Sequence, residues 1–290
     1  MILVTGATGQ LGTATINFLL SKIPAKEIAA LARDEQKAQD LKAKGVEVRV
    51  GDYNDKASLI EAFRGVDKLF FVSASDVANR LKQHANVVYA AKEAGVKHII
   101  YTSFTRKNET AASPLGILAT SHIETDKMIR ASGLTYTIML NGLYADVLPM
   151  FFGEKVLETG IFLPAGDGKA AYTTRNDIAE AAANILTTEG HKNKEYIITN
   201  TENYSLQDAA VILSDLSGKP VSYLDPSAET YTNTLSKAGV PAEYVGMFAS
   251  FSEAIRQKEF ETSGTDLQKL LGRTPVSLKD FLATVYFSKN

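Results

Sequence analysis

Residues 2–12, ILVTGATGQLG, decide the fold of this chain, because a short apolar run leads directly into a glycine-rich turn and then into helix-forming sequence. In such a strand–turn–helix context, Gly6 can take the tight turn and Gly9 lets the backbone approach a pyrophosphate. Gly12 lets the helix pack close to the strand. The N–H groups and the positive end of the helix would then face the phosphates. The sequence therefore predicts a dinucleotide-binding turn, and a ligand-free glycine turn is the alternative.

The sequence that follows this turn alternates strand-like and helix-like segments up to residue 140. This alternation predicts parallel βαβ units and hence an α/β fold with a doubly wound, mostly parallel Rossmann sheet. We expect residues 1–140 to form the dinucleotide-binding domain. Residues 141–290 are less regular and predict mainly a smaller α/β lobe on the substrate side, with segments at about 170–200 returning to the sheet.

Composition and charge exclude several classes of protein. The 290 residues include 31 Lys and Arg, 33 Asp and Glu and no cysteine, and the net charge is −2. We therefore expect no nucleic-acid or membrane partner, no disulfide and no catalytic thiol. The four histidines lack metal-ligand spacing, so no metal site is expected. Without a signal-peptide pattern or a long apolar run, the chain is predicted to be cytoplasmic, and a homodimer is the expected assembly.

The choice of dinucleotide is predicted at the end of the second strand. A carboxylate there binds a ribose 2′-hydroxyl, whereas an arginine accepts a 2′-phosphate. Here the strand is followed by Arg33, while Asp34 is expected to point away as the start of a helix, and Lys37 could add positive charge one turn later. The sequence therefore favours NADP(H). The alternative is that Arg33 is an ordinary exposed charge.

Several further motifs carry a resemblance to a known family. Besides the glycine turn they are ALAR at 30–33, GDY at 51–53, HIETDKM at 122–128, NGLY at 141–144 and AGDGK at 165–169. Together they resemble the atypical short-chain dehydrogenase/reductase superfamily, within it the NmrA-like group, and most closely the NADPH:quinone oxidoreductases of type 2. The resemblance extends over roughly the first 200 residues.

The turn, the strand ends and the resemblance together give a set of expected cofactor-binding residues. The resemblance implies that Asp52 hydrogen-bonds the adenine amino group. Small residues after the fourth strand suit the crevice beside the pyrophosphate, and a residue at the end of the fifth strand could contact the ribose. The full set is Gly6, Thr8, Gly9, Gln10, Leu11, Gly12, Arg33, Asp52, Tyr53, Ser73, Ala74, Thr102, Asn141 and Gly142.

The usual acid–base pair of the superfamily is missing, since none of the 12 tyrosines has a lysine four residues later. His122 lies near the place where NmrA-like relatives often have a catalytic lysine, and its ordinary pKa suits a proton donor near neutrality. The alternative is a helix-face histidine without a role. Asn141 is expected to bind the nicotinamide carboxamide or the substrate oxygen. Tyr144, with Phe151 or Phe152, is expected to wall an aromatic pocket, unless these rings are core packing.

A quinone needs little acid–base help, because hydride transfer gives a phenolate-like product that takes a proton readily from water. The leading prediction is therefore a flavin-free, NADPH-dependent oxidoreductase that transfers a hydride to quinones or similar small-molecule electrophiles. The first alternative is a non-catalytic, NADP(H)-binding redox sensor of the NmrA type. The second is a reductase of benzylic ethers or similar aromatics, which normally needs the lysine that His122 replaces.

Overall fold

The computed structural model describes residues 1–110 and 112–288. Its strands are short, as the glycine-bounded apolar runs predict. They are β1 Ile2–Val4, β2 Ile28–Ala32, β3 Glu47–Val50, β4 Lys68–Phe71, β5 His98–Phe104, β6 Thr135–Asn141, β7 Ile161–Phe162, β8 Lys169–Ala170, β9 Lys194–Ile198, β10 Tyr204–Ser205 and β11 Tyr223–Leu224.

Helices separate nearly all of these strands. They are α1 Gln10–Leu20, α2 Gln39–Ala43, α3 Lys56–Ala62, α4 Arg80–Glu93, α5 Ile117–Ala131, α6 Leu148–Phe152, α7 Val156–Thr159, α8 Arg175–Thr187, α9 Leu206–Ser217, α10 Ala228–Lys237, α11 Ala242–Arg256, α12 Leu267–Leu271 and α13 Leu278–Phe287. Short 3₁₀ turns occur at Ala25–Glu27, Glu35–Ala38 and Ala145–Val147.

One seven-stranded sheet organises the molecule, with strand order β3-β2-β1-β4-β5-β6-β9. All six neighbouring pairs are parallel. The order reverses between β1 and β4, which is where doubly wound sheets open a ligand crevice at the carboxyl ends of the strands. The predicted doubly wound parallel sheet is confirmed.

Each face of the sheet is covered by a separate apolar core. On one face α1 packs against α8, and the core includes Val4, Ile16 and Ile178. On the other face the core under α3, α4 and α5 includes Leu3 and Ile138. Adjacent residues of β1 thus enter opposite cores, because side chains alternate along a strand, and this explains why the strand is apolar throughout.

The segments after β6 contribute both to the sheet and to a second body of structure. β9 pairs with β6, and α8 packs against α1, whereas α6, α9 and α11 share a third core that includes Phe152, Leu213 and Ile255. The division into domains at residue 140 stays a prediction. α9 begins after its N-cap residue Ser205, whose side chain forms a reciprocal capping box with Asp208.

Two helices in this region were missed by sequence reasoning. α10 is mostly exposed, with Tyr231 as its buried residue, and α11 contains Gly246, a poor helix former. What stabilises α11 is tertiary packing of Phe248, Ala254 and Ile255 in the third core. No helix in the described part of the chain is both long and apolar enough to cross a membrane.

Candidate active site

The carboxyl ends of the parallel strands bring the predicted site residues to one edge of the sheet. The glycine turn follows β1, and the other predicted residues stand at or just after the ends of the next strands. They are Arg33 after β2, Asp52 and Tyr53 after β3, Ser73 and Ala74 after β4, Thr102 near the end of β5, and Asn141, Gly142 and Tyr144 at and after the end of β6. His122 lies separately, on α5.

The glycine turn has a backbone that only glycine fits at two positions. Gly6 has φ +57°, in the left-handed region. A Cβ on Gly12 would lie 2.3 Å from the carbonyl oxygen of Gly6, so any side chain there would push α1 away from the turn. A Cβ on Gly9 would contact only the Gly6 oxygen, at 3.3 Å. Packing within the protein therefore explains why residue 12 must be glycine, but it explains glycine at position 9 only weakly. The space next to Gly9 is thus available to a ligand.

The N-terminus of α1 is left without a cap. Gly9 is the N-cap residue and offers no side chain, and the first turn contains no acidic residue. The N–H groups of Gln10, Leu11 and Gly12 have no hydrogen-bond partner among the residues that the structure describes. Thr8, Gly9 and Gln10 are exposed, whereas Leu11 and Gly12 are buried and can offer only backbone. Such an end of a helix fits a pyrophosphate.

After β2, Arg33 is available to a ligand, whereas the carboxylate of Asp34 is used within the protein. Arg33 is exposed. Asp34 accepts a hydrogen bond from the backbone N–H of Gln36 at 2.9 Å and thereby caps the next helical turn, as expected. Past β3, the Oδ1 atom of Asp52 accepts a hydrogen bond from the backbone N–H of Asn54 at 2.8 Å, which fixes the half-buried carboxyl group.

Two hydroxyl groups in the expected cofactor set are committed to the protein itself. The one hydroxyl proton of Tyr53 has two acceptors within hydrogen-bond distance, the Thr5 hydroxyl and the carbonyl oxygen of Val72, and burial raises the pKa of Tyr53. Thr102 is fully buried and accepts a hydrogen bond from the N–H of Ser73 at 2.9 Å. Both hydroxyls tie strand ends together under the crevice, and the expectation that Tyr53 and Thr102 contact the cofactor stays a prediction.

At the end of β6, Asn141 is buried and only one end of its side-chain amide makes a hydrogen bond. Its Nδ2 donates to the Tyr144 hydroxyl at 3.4 Å, while its Oδ1 is buried without a partner among the described residues. An unpaired buried acceptor is costly, which makes Oδ1 a ready acceptor for a ligand N–H. Gly142 has a packing reason of its own, since a Cβ would lie 3.0 Å from the carbonyl oxygen of Ala171.

The predicted aromatic wall is not formed as one surface. Tyr144 packs with the core between α1 and α8, and the Arg175 guanidinium lies 4.9 Å from the centre of its ring. Burial raises the pKa of Tyr144, so it stays a neutral phenol. Phe151 and Phe152 instead belong to the third core, where Phe151 packs edge-on against Phe248 of α11.

His122 is buried beside the edge and does not titrate near neutrality. Its Nδ1 lies 2.7 Å from the hydroxyl of Tyr101, and its ring packs edge-on against Phe104 at 5.0 Å between centroids. Burial holds the pKa of His122 well below its ordinary value, and the charges of Arg80 and Arg106 lower it further. The expected proton donor with a near-neutral pKa is therefore corrected to a neutral imidazole.

Sequence reasoning missed the polar groups that surround this imidazole. Tyr101 on β5 is fully buried, and burial raises its pKa. One helical turn beyond His122, Asp126 is fully buried and pairs with Arg106 at 2.8 Å. Arg80 donates to the carbonyl oxygen of Ala74 at 2.6 Å and leaves Nη1 buried without a described partner. The alternation of β5, which puts Ile99, Tyr101 and Ser103 on one face, is the signal that could have found Tyr101.

Metal binding receives no support within residues 1–110 and 112–288, where no group of three or more candidate ligands could hold an ion.

Comparison with known proteins settles the family. The NmrA-like family model matches residues 1–282. The chain belongs to the NmrA-like family. It is 39% identical over 291 aligned residues, and over the full length of both proteins, to quinone oxidoreductase 2 of Escherichia coli strain K12.

Solved structures of relatives have the same fold over nearly their full length. The NADPH-dependent quinone oxidoreductase of E. coli complexed with NADPH matches with a TM-score of 0.92 and 38% identity, covering 99% of this chain and 100% of that one. Triphenylmethane reductase of Citrobacter sp. complexed with NADP(H) matches with a TM-score of 0.90 and 41% identity, covering 98% and 99%. The resemblance seen in the sequence is confirmed.

Proposed function

We propose that this protein is an NADPH-dependent oxidoreductase that transfers a hydride to quinones or similar small electrophiles and needs no flavin. The observation that carries the proposal is the uncapped N-terminus of α1, held against a turn in which Gly12 has no room for a Cβ. Full-length similarity to the E. coli quinone oxidoreductase supports the reaction class. Its structure with NADPH supports the cofactor.

The residues of this chain fit NADP(H) along the whole crevice. The free N–H groups at the start of α1 would hold the pyrophosphate, and Arg33 would pair with the 2′-phosphate. Asp52 would accept from the adenine amino group, and the unpaired Oδ1 of Asn141 would accept from the carboxamide N–H. The remaining cofactor residues of the sequence analysis stay proposals in the same crevice, with Leu11 and Gly12 contributing backbone only.

Bound NADPH supplies a hydride from its nicotinamide ring. A quinone that takes it gains two electrons and becomes a phenolate-like anion, which then takes its second hydrogen as a proton from water. The protein's task is to position the quinone and to stabilise the charge on its oxygen. A neutral His122 can donate a hydrogen bond to that oxygen without giving up its proton. The absence of a Tyr-x-x-x-Lys pair is compatible with this low demand.

The first experiment compares NADPH oxidation with a quinone panel, with a triphenylmethane dye, and without acceptor. We expect quinone-dependent loss of reduced-nicotinamide absorbance, faster with NADPH than with NADH. Tight NADPH binding by calorimetry without turnover on any acceptor would overturn the proposal and favour the redox-sensor alternative. A homodimer and a cytoplasmic location are part of the proposal, and light scattering and cell fractionation test them.

A further inference from the structure

A chain of buried hydrogen bonds connects the loop after β4 with His122. The backbone N–H of Ala74 lies 2.9 Å from Nε2 of His84, on α4. Nδ1 of His84 lies 2.9 Å from the Thr125 hydroxyl and 3.4 Å from the Tyr101 hydroxyl. The Tyr101 hydroxyl in turn lies 2.7 Å from Nδ1 of His122. Three secondary-structure elements, α4, β5 and α5, thus contribute to one polar network inside an apolar face of the sheet.

The first member of this network fixes the proton on His84. A backbone N–H can only donate, so Nε2 of His84 accepts and carries no proton. Burial, with the charge of Arg80 adding to it, lowers the pKa of His84 to about 3, so the ring is neutral and its proton is on Nδ1. Thr125 donates its own proton to the carbonyl oxygen of Ser121 at 2.6 Å, and it is therefore free to accept from His84.

The same reasoning fixes the proton on Tyr101. His84 already presents N–H toward this side, so it offers Tyr101 no lone pair. Of the two imidazole nitrogens within 3.5 Å of the Tyr101 hydroxyl, Nδ1 of His122, at 2.7 Å, is therefore the one that can accept its proton. Tyr101 therefore donates, and a neutral His122 must carry its proton on Nε2. That Nε2 atom makes no hydrogen bond to a described residue, and it is not among the fully buried polar atoms that lack a partner.

We infer that Tyr101 is a positioning residue that holds His122 in its Nε2–H tautomer, so that His122 donates a neutral hydrogen bond to the substrate oxygen on which negative charge develops. This inference rests on the proposed function. It assigns a role to Tyr101 and to His84, which fixes the direction of the Tyr101 hydrogen bond. In this view His122 is a hydrogen-bond donor that keeps its proton, and not an acid that transfers it. The proton of the final hydroquinone comes from water.

The charged groups around His122 agree with a neutral ring. Arg80 faces it from α4 and Arg106 from the loop after β5, and both cations oppose protonation. Asp126, one turn further along α5, is paired with Arg106 and Ser103 rather than with the imidazole. Tyr101 and His84, from β5 and α4, are neutral.

The test begins with Tyr101→Phe, which removes the hydroxyl and keeps the ring. Tyr196→Phe is the matched control. The Tyr196 hydroxyl, on β9, lies 2.9 Å from Nδ1 of His191, just before β9, and the proposal gives this tyrosine–histidine pair no role. We expect Tyr101→Phe to lower kcat about tenfold, the loss of one hydrogen bond in the transition state, with KM nearly unchanged. Tyr196→Phe should leave both constants unchanged.

A spectroscopic readout separates positioning from a loss of stability. In protein labelled with ¹⁵N-histidine, His122 should show one protonated nitrogen, Nε2, and should stay neutral at pH 6. In Tyr101→Phe the same resonances should report mixed tautomers. A wild-type His122 protonated on Nδ1, or one tautomer that persists in Tyr101→Phe, would overturn the inference even if the quinone assay fails, so the two proposals fail separately.

His122 variants distinguish a neutral donor from an acid. His122→Gln keeps an N–H donor near the position of Nε2 but cannot act as an acid, whereas His122→Phe keeps only the bulk of the ring. We expect His122→Gln to retain most of the wild-type kcat and His122→Phe to lose about tenfold or more. Equal losses in both variants, together with a wild-type kcat that falls as pH rises through about 6.5, would show an imidazolium acid and overturn the inference.

Discussion

The two halves of the crevice are built by different means. Along β1–β3 the protein offers mainly backbone and exposed ends: the N–H groups of α1, the close contact at Gly12, and a free Arg33. Along β4–β6 it offers buried side chains that bond to one another, such as Tyr101 with His122 and Arg106 with Asp126. A cofactor shared by many enzymes can be held by backbone geometry, whereas the chemistry of one enzyme depends on a side-chain network.

The largest effect should come from the backbone half, with Gly12→Val. Its Cβ would lie 2.3 Å from the Gly6 oxygen, and backbone atoms cannot move aside as a flexible side chain can. We expect NADPH affinity to fall about 100-fold or more, and stability by about 3 kcal/mol, the upper range for overpacking. Calorimetry and urea unfolding measure the two.

Gly246→Ala is the matched control for that variant. Its Cβ would have no neighbour within 4 Å, and the position lies inside α11. Alanine there should leave NADPH binding unchanged and raise stability by about 1 kcal/mol, since alanine is the better helix former. Unchanged cofactor binding in Gly12→Val would show that the turn is not the phosphate site.

A smaller and more selective effect is expected from Arg33→Ala. A charge-assisted pair with a 2′-phosphate contributes about 1.5–3 kcal/mol, so the Kd for NADPH should rise about 10- to 100-fold while that for NADH stays the same. Arg64→Ala is the control, because Arg64 is an exposed arginine whose side chain pairs with Glu61, one turn before it. A parallel loss for both dinucleotides would remove Arg33 from the 2′-phosphate site.

The difference between the two halves of the crevice also explains which features could be predicted from the sequence. The glycine turn and the end of β2 depend on residues close in the chain, so spacing alone was enough to place Gly12 and to turn Asp34 away from the crevice. Tyr101 and His122 are 21 positions apart, and His84 and Thr125 are 41 apart. Such pairs depend on the folded sheet and on burial, and burial also shifts the pKa of His122 from what its residue type suggests.

The second lobe shows a similar limit. α11 is stabilised by the aromatic contact of Phe248 with Phe151, about 100 positions earlier, and not by its own helix propensity. A local pattern could not reveal this contact, so the helix was missed and the choice between an aromatic pocket and core packing stayed open for Phe151. By contrast α9 begins at a capping box between Ser205 and Asp208, three residues apart, which is a signal that a local pattern carries.

The smallest expected effect is the pH dependence of stability that the histidines cause. It concerns the side-chain half of the crevice, because all four histidines come after β4. Burial lowers the pKa of His84 to about 3 and that of His98 to about 4, with Arg80 and Lys68 adding to the respective shifts. Between these values and about 6.5 the unfolded chain binds more protons than the folded one, so stability rises with pH and is lost as pH falls below about 6.5.

From pH 7.5 to pH 5.5, each fully buried neutral histidine should therefore cost about 1.4 kcal/mol of unfolding free energy. His84→Gln should reduce this loss by about 1.4 kcal/mol, whatever its effect on stability at neutral pH, because the difference between two pH values is taken within each variant. His191→Gln removes a more exposed ring and should reduce the loss by less. Urea unfolding at the two pH values measures both. An unchanged difference in His84→Gln would mean that His84 titrates in the folded protein as it does in the unfolded chain, and the fixed donor direction from Ala74 to His122 would then have no basis.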